Sequence, residues 1–158
     1  MNGNELFAWP GSGKFEDKKI GDIVGRAGAI GNGAFALHAR AVFLSGAPRF
    51  EFEGEFDRPA GRVFRYHYSV PLLQSGYEIR TGEISEKVGF SGYFETDVKT
   101  LEPRVLEVRA DDIPPTLRLQ SASSRMAYHA VRIGEKQFSL PETSELVMVD
   151  LEGNEQRN

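Results

Sequence analysis

In RFEFEGEFDRPAGRVFRYHYSV, from Arg49 to Val70, two alternating segments flank a Pro-Ala-Gly turn. This pattern is typical of a β-hairpin, and alternation predicts one aromatic and one polar face. The first arm carries Phe50, Phe52 and Phe56 opposite Glu51, Glu53, Glu55 and Asp57. The second arm carries Phe64, Tyr66, Tyr68 and Val70 opposite Arg65, His67 and Ser69. We expect the rest of the chain to cover the aromatic face, with Phe52 buried at its centre.

Length and composition indicate one domain over residues 1–158. The chain has 158 residues, of which 40% are hydrophobic, so it can build one core but is too short for two. The formal charge of -4 is mild, and Lys and Arg are spread along the chain, which argues against nucleic acid as a partner. The absence of cysteine excludes disulfides and thiol nucleophiles.

The termini suggest that the domain is excised from a longer exported chain. The N-terminus lacks the basic and apolar regions of a signal peptide, and no span approaches transmembrane length. We therefore expect no stable membrane insertion. The chain opens directly into strand-like residues 4–9 and stops soon after a predicted strand.

Short strands dominate the rest of the chain. Hairpin-sized turns connect them without strand-helix-strand alternation, which indicates an antiparallel meander of eight or nine strands. We expect Gly89 and Gly92 to mark a bulge or bend, and Pro141 to end a strand. Beyond the central hairpin, the predicted strands cover 6–9, 77–81, 86–96, 104–110, 122–133, 137–140 and 144–151.

The one convincing helix runs from Ala34 to Leu44 and is apolar on two sides. One stripe holds Phe35, Ala39, Val42 and Phe43, and the other holds Leu37, Ala41 and Leu44. Such a helix is expected to be sandwiched or to lie in a concave surface. A sheet of many strands twists and coils. We therefore predict a mainly β (α+β) fold, with a single strongly curved antiparallel sheet, an open half-barrel, and one helix packed on its concave face.

No residue pattern in the chain predicts catalysis, a metal site or a cofactor. The histidines His38, His67 and His129 lie on different elements without metal-ligand spacing. Ser75 and Ser91 lack the glycine and the strand-to-helix context of a nucleophile elbow. We interpret the three histidines as packing or hydrogen-bonding residues and exclude the two serines as nucleophiles.

Two further motifs are interpreted structurally. Asp111 and Asp112 supply too few ligands for calcium and are expected to satisfy backbone donors in a loop. The glycine-rich run from Gly28 to Gly33 is not followed by Gly-Lys-Ser/Thr, so we interpret it as a tight connection into the helix.

An acidic row on the first arm leaves a hydrolase open as an alternative. Glu51, Glu53 and Glu55 would stand about 7 Å apart along one face of a strand. Glycoside hydrolases use carboxylates at such separations. The simpler interpretation is a solvated face opposed by Arg62 or Arg65.

Several motifs together carry a resemblance to known proteins. They are AIGNGAF (29–35), FEFEG (50–54), YSVP (68–71) with SGY (75–77), ADDIPP (110–115), and FSLP (138–141) with SEL (144–146). Over nearly its whole length the chain resembles an uncharacterised family of secreted proteins of acidobacteria. That family is similar in strand pattern to the LolA/LolB-like superfamily of lipoprotein carriers and to sigma-factor regulators of the RseB type.

This resemblance implies an incomplete antiparallel barrel whose apolar cavity holds acyl chains or lipopeptides, in a periplasmic or secreted protein. We therefore predict a non-enzymatic binding or scaffold module of the cell envelope, with its ligand between helix and sheet. Its partner would be a lipid, a lipoprotein or another protein, and the oligomeric state stays open. The predicted ligand-binding residues are Phe35, Leu37, Ala41, Leu44, Tyr66 and Tyr68.

Overall fold

The computed structural model describes Gly13 and residues 35–157, and at residues 35–37 it describes the backbone alone. One α-helix, α1 (Phe35–Phe43), precedes nine strands in this part of the chain. The predicted strand at 6–9 and the loop from Gly28 to Gly33 lie outside the described residues. The strands are β1 (Arg49–Arg58), β2 (Gly61–Val70), β3 (Glu78–Thr81), β4 (Ile84–Lys87), β5 (Gly89–Asp97), β6 (Pro103–Asp111), β7 (Leu119–Ile133), β8 (Lys136–Asp150) and β9 (Glu155–Arg157).

Seven of the strands form one sheet in the order β1-β2-β5-β6-β7-β8-β9. The remaining two, β3 and β4, form a separate hairpin that is inserted in the chain between β2 and β5. All pairings are antiparallel. For the described residues, the prediction of a mainly β fold with one large antiparallel sheet and one helix is confirmed. The expectation of a single sheet is wrong, because β3 and β4 pair with each other and not with the seven-stranded sheet. Within the described residues β1 and β9 are not paired with each other, so the sheet keeps two edges.

The core lies between α1 and one face of the sheet, which we call the apolar face and define by Tyr66, Tyr68 and Val70 of β2. The opposite face, defined by Arg65 and His67, is the polar face. Helix residue Val42 is buried among sheet residues, and Ala39 and Ala41 pack beside it. The buried residues of this cluster are Val42, Tyr68, Val70, Phe90, Phe94, Leu106, Val108 and Met126.

A second, smaller cluster lies around the β3–β4 hairpin. It joins Ile79 of β3 and Val88, which follows β4, to Leu117 and to Ala122 of β7. Leu117 belongs to a short 3₁₀ turn at Pro115–Leu117. The inserted hairpin is therefore packed on the sheet through its own apolar contacts.

A β-bulge in β1 exchanges the faces of its second half. The pairing passes from Phe52 opposite Tyr66 to Gly54 opposite Arg65, which leaves Glu53 as the extra residue. Gly54 has φ 155°, a conformation that suits glycine. Phe56 therefore lies on the polar face beside Val63. The prediction that Phe56 shares a face with Phe50 and Phe52 is wrong, because strict alternation ends at the bulge.

Gly92 of β5 allows a close approach between strands, and no bulge is formed there. The predicted strand 86–96 is divided at Val88, and Gly92 keeps regular register with both neighbouring strands. A Cβ atom at Gly92 would come within 1.9 Å of the Glu107 carbonyl oxygen. The Tyr68 hydroxyl donates a hydrogen bond to that same oxygen at 2.7 Å. Gly92 thus makes room for this contact, and the predicted bulge at Gly92 is wrong.

The strands β7 and β8 form a long hairpin that extends beyond β6. The pairing of β6 with β7 covers only Ser123 to Ala127 of β7, whereas the β7–β8 pairing continues to Ile133. We expected Pro141 to end a strand, but β8 continues through it. The register shifts beside Pro141, so Glu142 is an extra residue there. A bulge accommodates the proline, and the predicted strands 137–140 and 144–151 are one strand.

Candidate functional site

Six aromatic rings form a continuous strip on the apolar face, on the β1 side of the sheet. We call it the aromatic strip; it consists of Phe43, Phe50, Phe52, Phe64, Tyr66 and Phe94. Its centre is the stacked pair of Tyr66 and Phe94, whose ring centroids are 5.0 Å apart. Phe43 and Phe50 meet the Phe94 ring at 5.0 and 5.6 Å. Phe52 meets Tyr66 at 5.1 Å and Phe64 at 5.9 Å.

The β1 side of the strip is open. The exposed fractions are 51% for Phe50 and 55% for Phe52, against 8% for Phe94. The expectation that Phe52 is a buried central residue is wrong. Among the described strands β1 is the last of the sheet, and the buried helix residue Val42 belongs to the cluster built on β2, β5, β6 and β7. In the part of the chain that the structure describes, the apolar face is therefore covered at its centre and half-exposed at β1.

The predicted ligand-binding residues that the structure describes with side chains do not share one environment. Tyr66 lies in the aromatic strip, whereas Tyr68 is buried in the core with its hydroxyl bonded to Glu107. Ala41 is half-buried against the core. Leu44 follows the end of α1 and is 77% exposed, so burial of the whole second stripe is not observed. The side chains of Phe35 and Leu37 lie outside the described residues.

The exposed rings that sequence reasoning missed are Phe50 and Phe52, which it placed in the core. The available signal was their position on the first arm of the hairpin. The first arm of a hairpin pairs with the second arm on one side. A strand partner on its other side has to come from a distant part of the chain. Such a strand is a candidate edge, where apolar residues are only partly covered.

The polar face carries a compact ion cluster centred on Glu95 of β5, which we call the Glu95 cluster. Glu95 is only 3% exposed. Its Oε1 accepts hydrogen bonds from Arg58 Nη2 at 2.7 Å and from Arg65 Nη2 at 2.6 Å. The two guanidinium groups lie 5.3 and 4.9 Å from the Phe56 ring centroid. The bulge that moves Phe56 to this face therefore completes the cluster.

The electrostatics keep Glu95 ionised. Burial raises the pKa of this carboxyl, but the hydrogen bonds and charges of Arg58 and Arg65 outweigh burial, so its pKa is lowered. A general acid needs the opposite shift. We interpret the Glu95 cluster as an anchor that joins β1, β2 and β5.

The acidic row predicted on β1 is not formed. Glu51 lies beside His67 on the polar face, whereas Glu55 lies beside Phe64 on the apolar face, because the bulge intervenes. Glu55 forms an ion pair with Arg62. Glu53 contacts His67 Nε2 at 2.8 Å. The three carboxylates therefore do not share a strand face as the hydrolase alternative requires.

Ser91, Ser75 and His38, which were considered as candidate site residues, form hydrogen bonds or packing contacts within the fold. Ser91 Oγ donates to Asp111 Oδ1 at 3.0 Å, and the buried Ser75 Oγ accepts from the Tyr77 N–H at 3.0 Å. His38 packs edge-on to Tyr77 at 5.0 Å, and burial lowers its pKa. Among the described residues, no group of three or more His, Cys, Asp or Glu side chains is arranged to hold a metal ion.

The chain matches no protein-family model, no curated protein and no solved structure. The nine-residue α1 is too short to span a bilayer, and the described part of the chain contains no other α-helix that would.

Proposed function

We propose that this domain is a non-enzymatic binding module that holds an apolar ligand, an acyl chain alone or as part of a lipopeptide, on the aromatic strip. One observation carries the proposal: Phe50 and Phe52 are half-exposed while their rings contact Phe94 and Tyr66. A ligand on these two rings would extend the core over the edge strand. Exposed aromatic groups that adjoin a core are typical of binding surfaces.

The expected gain from such a ligand is sufficient for moderate affinity. Burial of each methylene contributes about 0.8 kcal/mol, so six methylenes contribute roughly 5 kcal/mol before ordering costs. A micromolar Kd corresponds to about 8 kcal/mol. A chain somewhat longer than six carbons, or a few additional contacts, would supply the difference.

The wider setting of the proposal comes from the family resemblance. It includes export to the periplasm or the exterior, and a sheet curved into an open half-barrel with α1 on its concave side. The position of α1 on the apolar face and the twist expected of a seven-stranded sheet support the curved half-barrel with α1 on its concave side. In such a sheet the aromatic strip would form one wall of the concave side.

A lipid-binding assay tests the proposal directly. Native mass spectrometry of the purified protein is combined with titration of a fluorescent fatty-acid probe. The matched variants are Phe52→Ser and Phe138→Ser, because Phe138 of β8 is also exposed, at 42%, but belongs to the far hairpin. We expect probe binding by the wild type and the Phe138→Ser variant, and at least about tenfold weaker binding by Phe52→Ser.

Two results would contradict the proposed function. The first is that neither a co-purified lipid nor probe binding is detected. The second is that both serine variants weaken binding equally, which would show that the probe responds to any exposed apolar residue and not to the aromatic strip.

A further inference from the structure

The outer edge of β1 is a second surface next to the aromatic strip. Within the described residues β1 pairs only with β2, so its outer side between Arg49 and Phe52 has no strand partner there. The register with β2 is regular over these four residues and shifts at Glu53. The edge is therefore a short, regular template for one more strand.

The polar side of this edge carries one charge of each sign. Arg49 and Glu51 lie two residues apart on the same strand, and both side chains stand on the polar face. Both are exposed, and neither forms an ion pair with another residue that the structure describes. The edge from residue 49 to residue 52 is therefore neutral as a whole, with a positive end and a negative end.

Two copies of this edge can join their sheets about a two-fold axis. An axis perpendicular to the sheet makes the two β1 strands antiparallel and keeps both apolar faces on the same side. Only alternate residues of a strand direct their N–H and C=O groups to a given side, so residues of the same kind must stand opposite each other. The axis is therefore restricted to positions centred on a residue.

Charge selects one of these positions. An axis at Arg49 or at Glu51 would place that residue opposite its own copy, and like charges directly opposite are unfavourable. An axis at Phe52 would place Glu51 opposite Glu53. With the axis at Phe50, Arg49 of each copy stands opposite Glu51 of the other, so one attractive pair occurs twice and the two Phe50 side chains adjoin.

We propose that the chain forms a symmetric dimer in which two β1 strands pair antiparallel, with the two-fold axis at Phe50. A second copy is the partner because the edge is complementary to itself in charge, in backbone pairing and in its apolar residues. The half-exposed Phe50 and Phe52 gain apolar neighbours, and the two aromatic strips become continuous across the axis. The inference shares these rings with the proposed function but depends separately on the charges of Arg49 and Glu51.

Exchange of charges tests the pairing in the full chain. Sedimentation equilibrium measures the dimer dissociation constant of the wild type, of Arg49→Glu, of Glu51→Arg and of the double variant. We expect each single variant to raise this constant at least about tenfold, because two attractive pairs become repulsive, and the double variant to restore it to within about threefold. Glu135→Arg, which makes the same charge change at the exposed β7–β8 turn, should leave the constant unchanged.

An equimolar mixture of the two single variants tests the symmetry of the pairing. In a mixed dimer of Arg49→Glu with Glu51→Arg, two glutamates of one chain stand opposite two arginines of the other, so both pairs are attractive again. Native mass spectrometry resolves the two variants by mass. It should detect mixed dimers at concentrations where neither variant dimerises alone, and a mixture that stays monomeric would overturn the inference.

Hydrogen exchange supplies the backbone readout. The amides on the outer side of β1 between Arg49 and Phe52 should exchange more slowly as the protein concentration is raised. Slow exchange of these amides in the monomer would show that another part of the chain covers the edge, and would overturn the inference. A wild type that stays monomeric at about 1 mM, or a dimer that neither single variant weakens, would do the same.

The fatty-acid probe separates this inference from the proposed function. Below the dimer dissociation constant, Arg49→Glu and Glu51→Arg should bind the probe as the wild type does, since both side chains lie on the polar face. Probe binding by a chain that stays monomeric at all concentrations would reject the dimer alone. A dimer that responds to the charge exchanges as expected but binds no probe would reject the lipid-binding proposal alone.

Discussion

The two arms of the central hairpin have the same alternating pattern and opposite surroundings. Tyr68 of β2 is 3% exposed, whereas Phe52 of β1 is 55% exposed, although both lie on the apolar face. The second arm lies between β1 and β5, and its side chains pack with Val42 of the helix. Alternation therefore specifies which side chains share a face, while the position of the strand in the sheet determines whether that face is covered.

The arms also differ in what holds them to the sheet. Tyr68 and Val70 attach β2 through apolar burial. The first arm is attached on its polar face, where Arg58 binds Glu95 and Phe56 lies beneath two guanidinium groups. The aromatic residues ahead of the bulge in β1 are thereby left available for a partner.

The largest expected effect is on the covered arm. Tyr68→Ala should lower the free energy of unfolding by about 3 to 5 kcal/mol, because it removes a buried aromatic ring from the core. Urea denaturation followed by circular dichroism would measure it. A loss below about 1 kcal/mol would remove the distinction between the arms.

Tyr68→Phe is the matched control for that variant. It keeps the ring and removes only the hydroxyl that donates to the Glu107 carbonyl. The expected loss is about 0.5 to 1.5 kcal/mol, the usual net contribution of one hydrogen bond. The difference between the two variants isolates the contribution of ring burial.

A smaller effect is expected at the anchor of the first arm. Glu95→Gln should cost about 1 to 3 kcal/mol at neutral pH, because two arginines lose their charged acceptor. Both guanidinium groups are partly solvated, at 34% and 22% side-chain exposure, so the cost should stay below that of Tyr68→Ala. Hydrogen exchange should show β1 loosened more than β2.

The pH dependence of this effect has a definite sign. The pKa of Glu95 is lowered in the folded protein, so its contribution is present above its unfolded pKa of about 4.3 and is lost as the pH falls through the folded value. Wild type and Glu95→Gln should therefore differ most above about pH 5 and converge in acid. A difference that grows as the pH falls would contradict the ionised carboxylate.

Much of the fold was accessible from sequence. The central hairpin, the helix, the antiparallel sheet and the faces of β2 follow from local alternation and turn residues. The bulge after Phe52 does not, because an extra residue in one strand depends on how both strands pair with their neighbours. The continuation of β8 through Pro141 is a similar case, since a register shift beside the proline allows a strand that local rules would end.

The site was only partly accessible. The position of Tyr66 on the aromatic face follows from alternation, but the exposure of Phe50 and Phe52 depends on which strand lies last in the described sheet. The Glu95 cluster required knowing that β2 pairs with β5, across an inserted hairpin, so that Arg65 stands opposite Glu95. Alternation within one segment carries no information about such a distant pairing.

The most direct test of the account is the stability of Phe52→Ala, measured by urea denaturation beside Tyr68→Ala, with fatty-acid probe binding measured on the same samples. We predict a loss of unfolding free energy below about 1.5 kcal/mol for Phe52→Ala, because the ring is more than half exposed, together with clearly weakened probe binding. A loss equal to that of Tyr68→Ala, with probe binding unchanged, would show that Phe52 belongs to the core and would contradict the open edge of the aromatic strip.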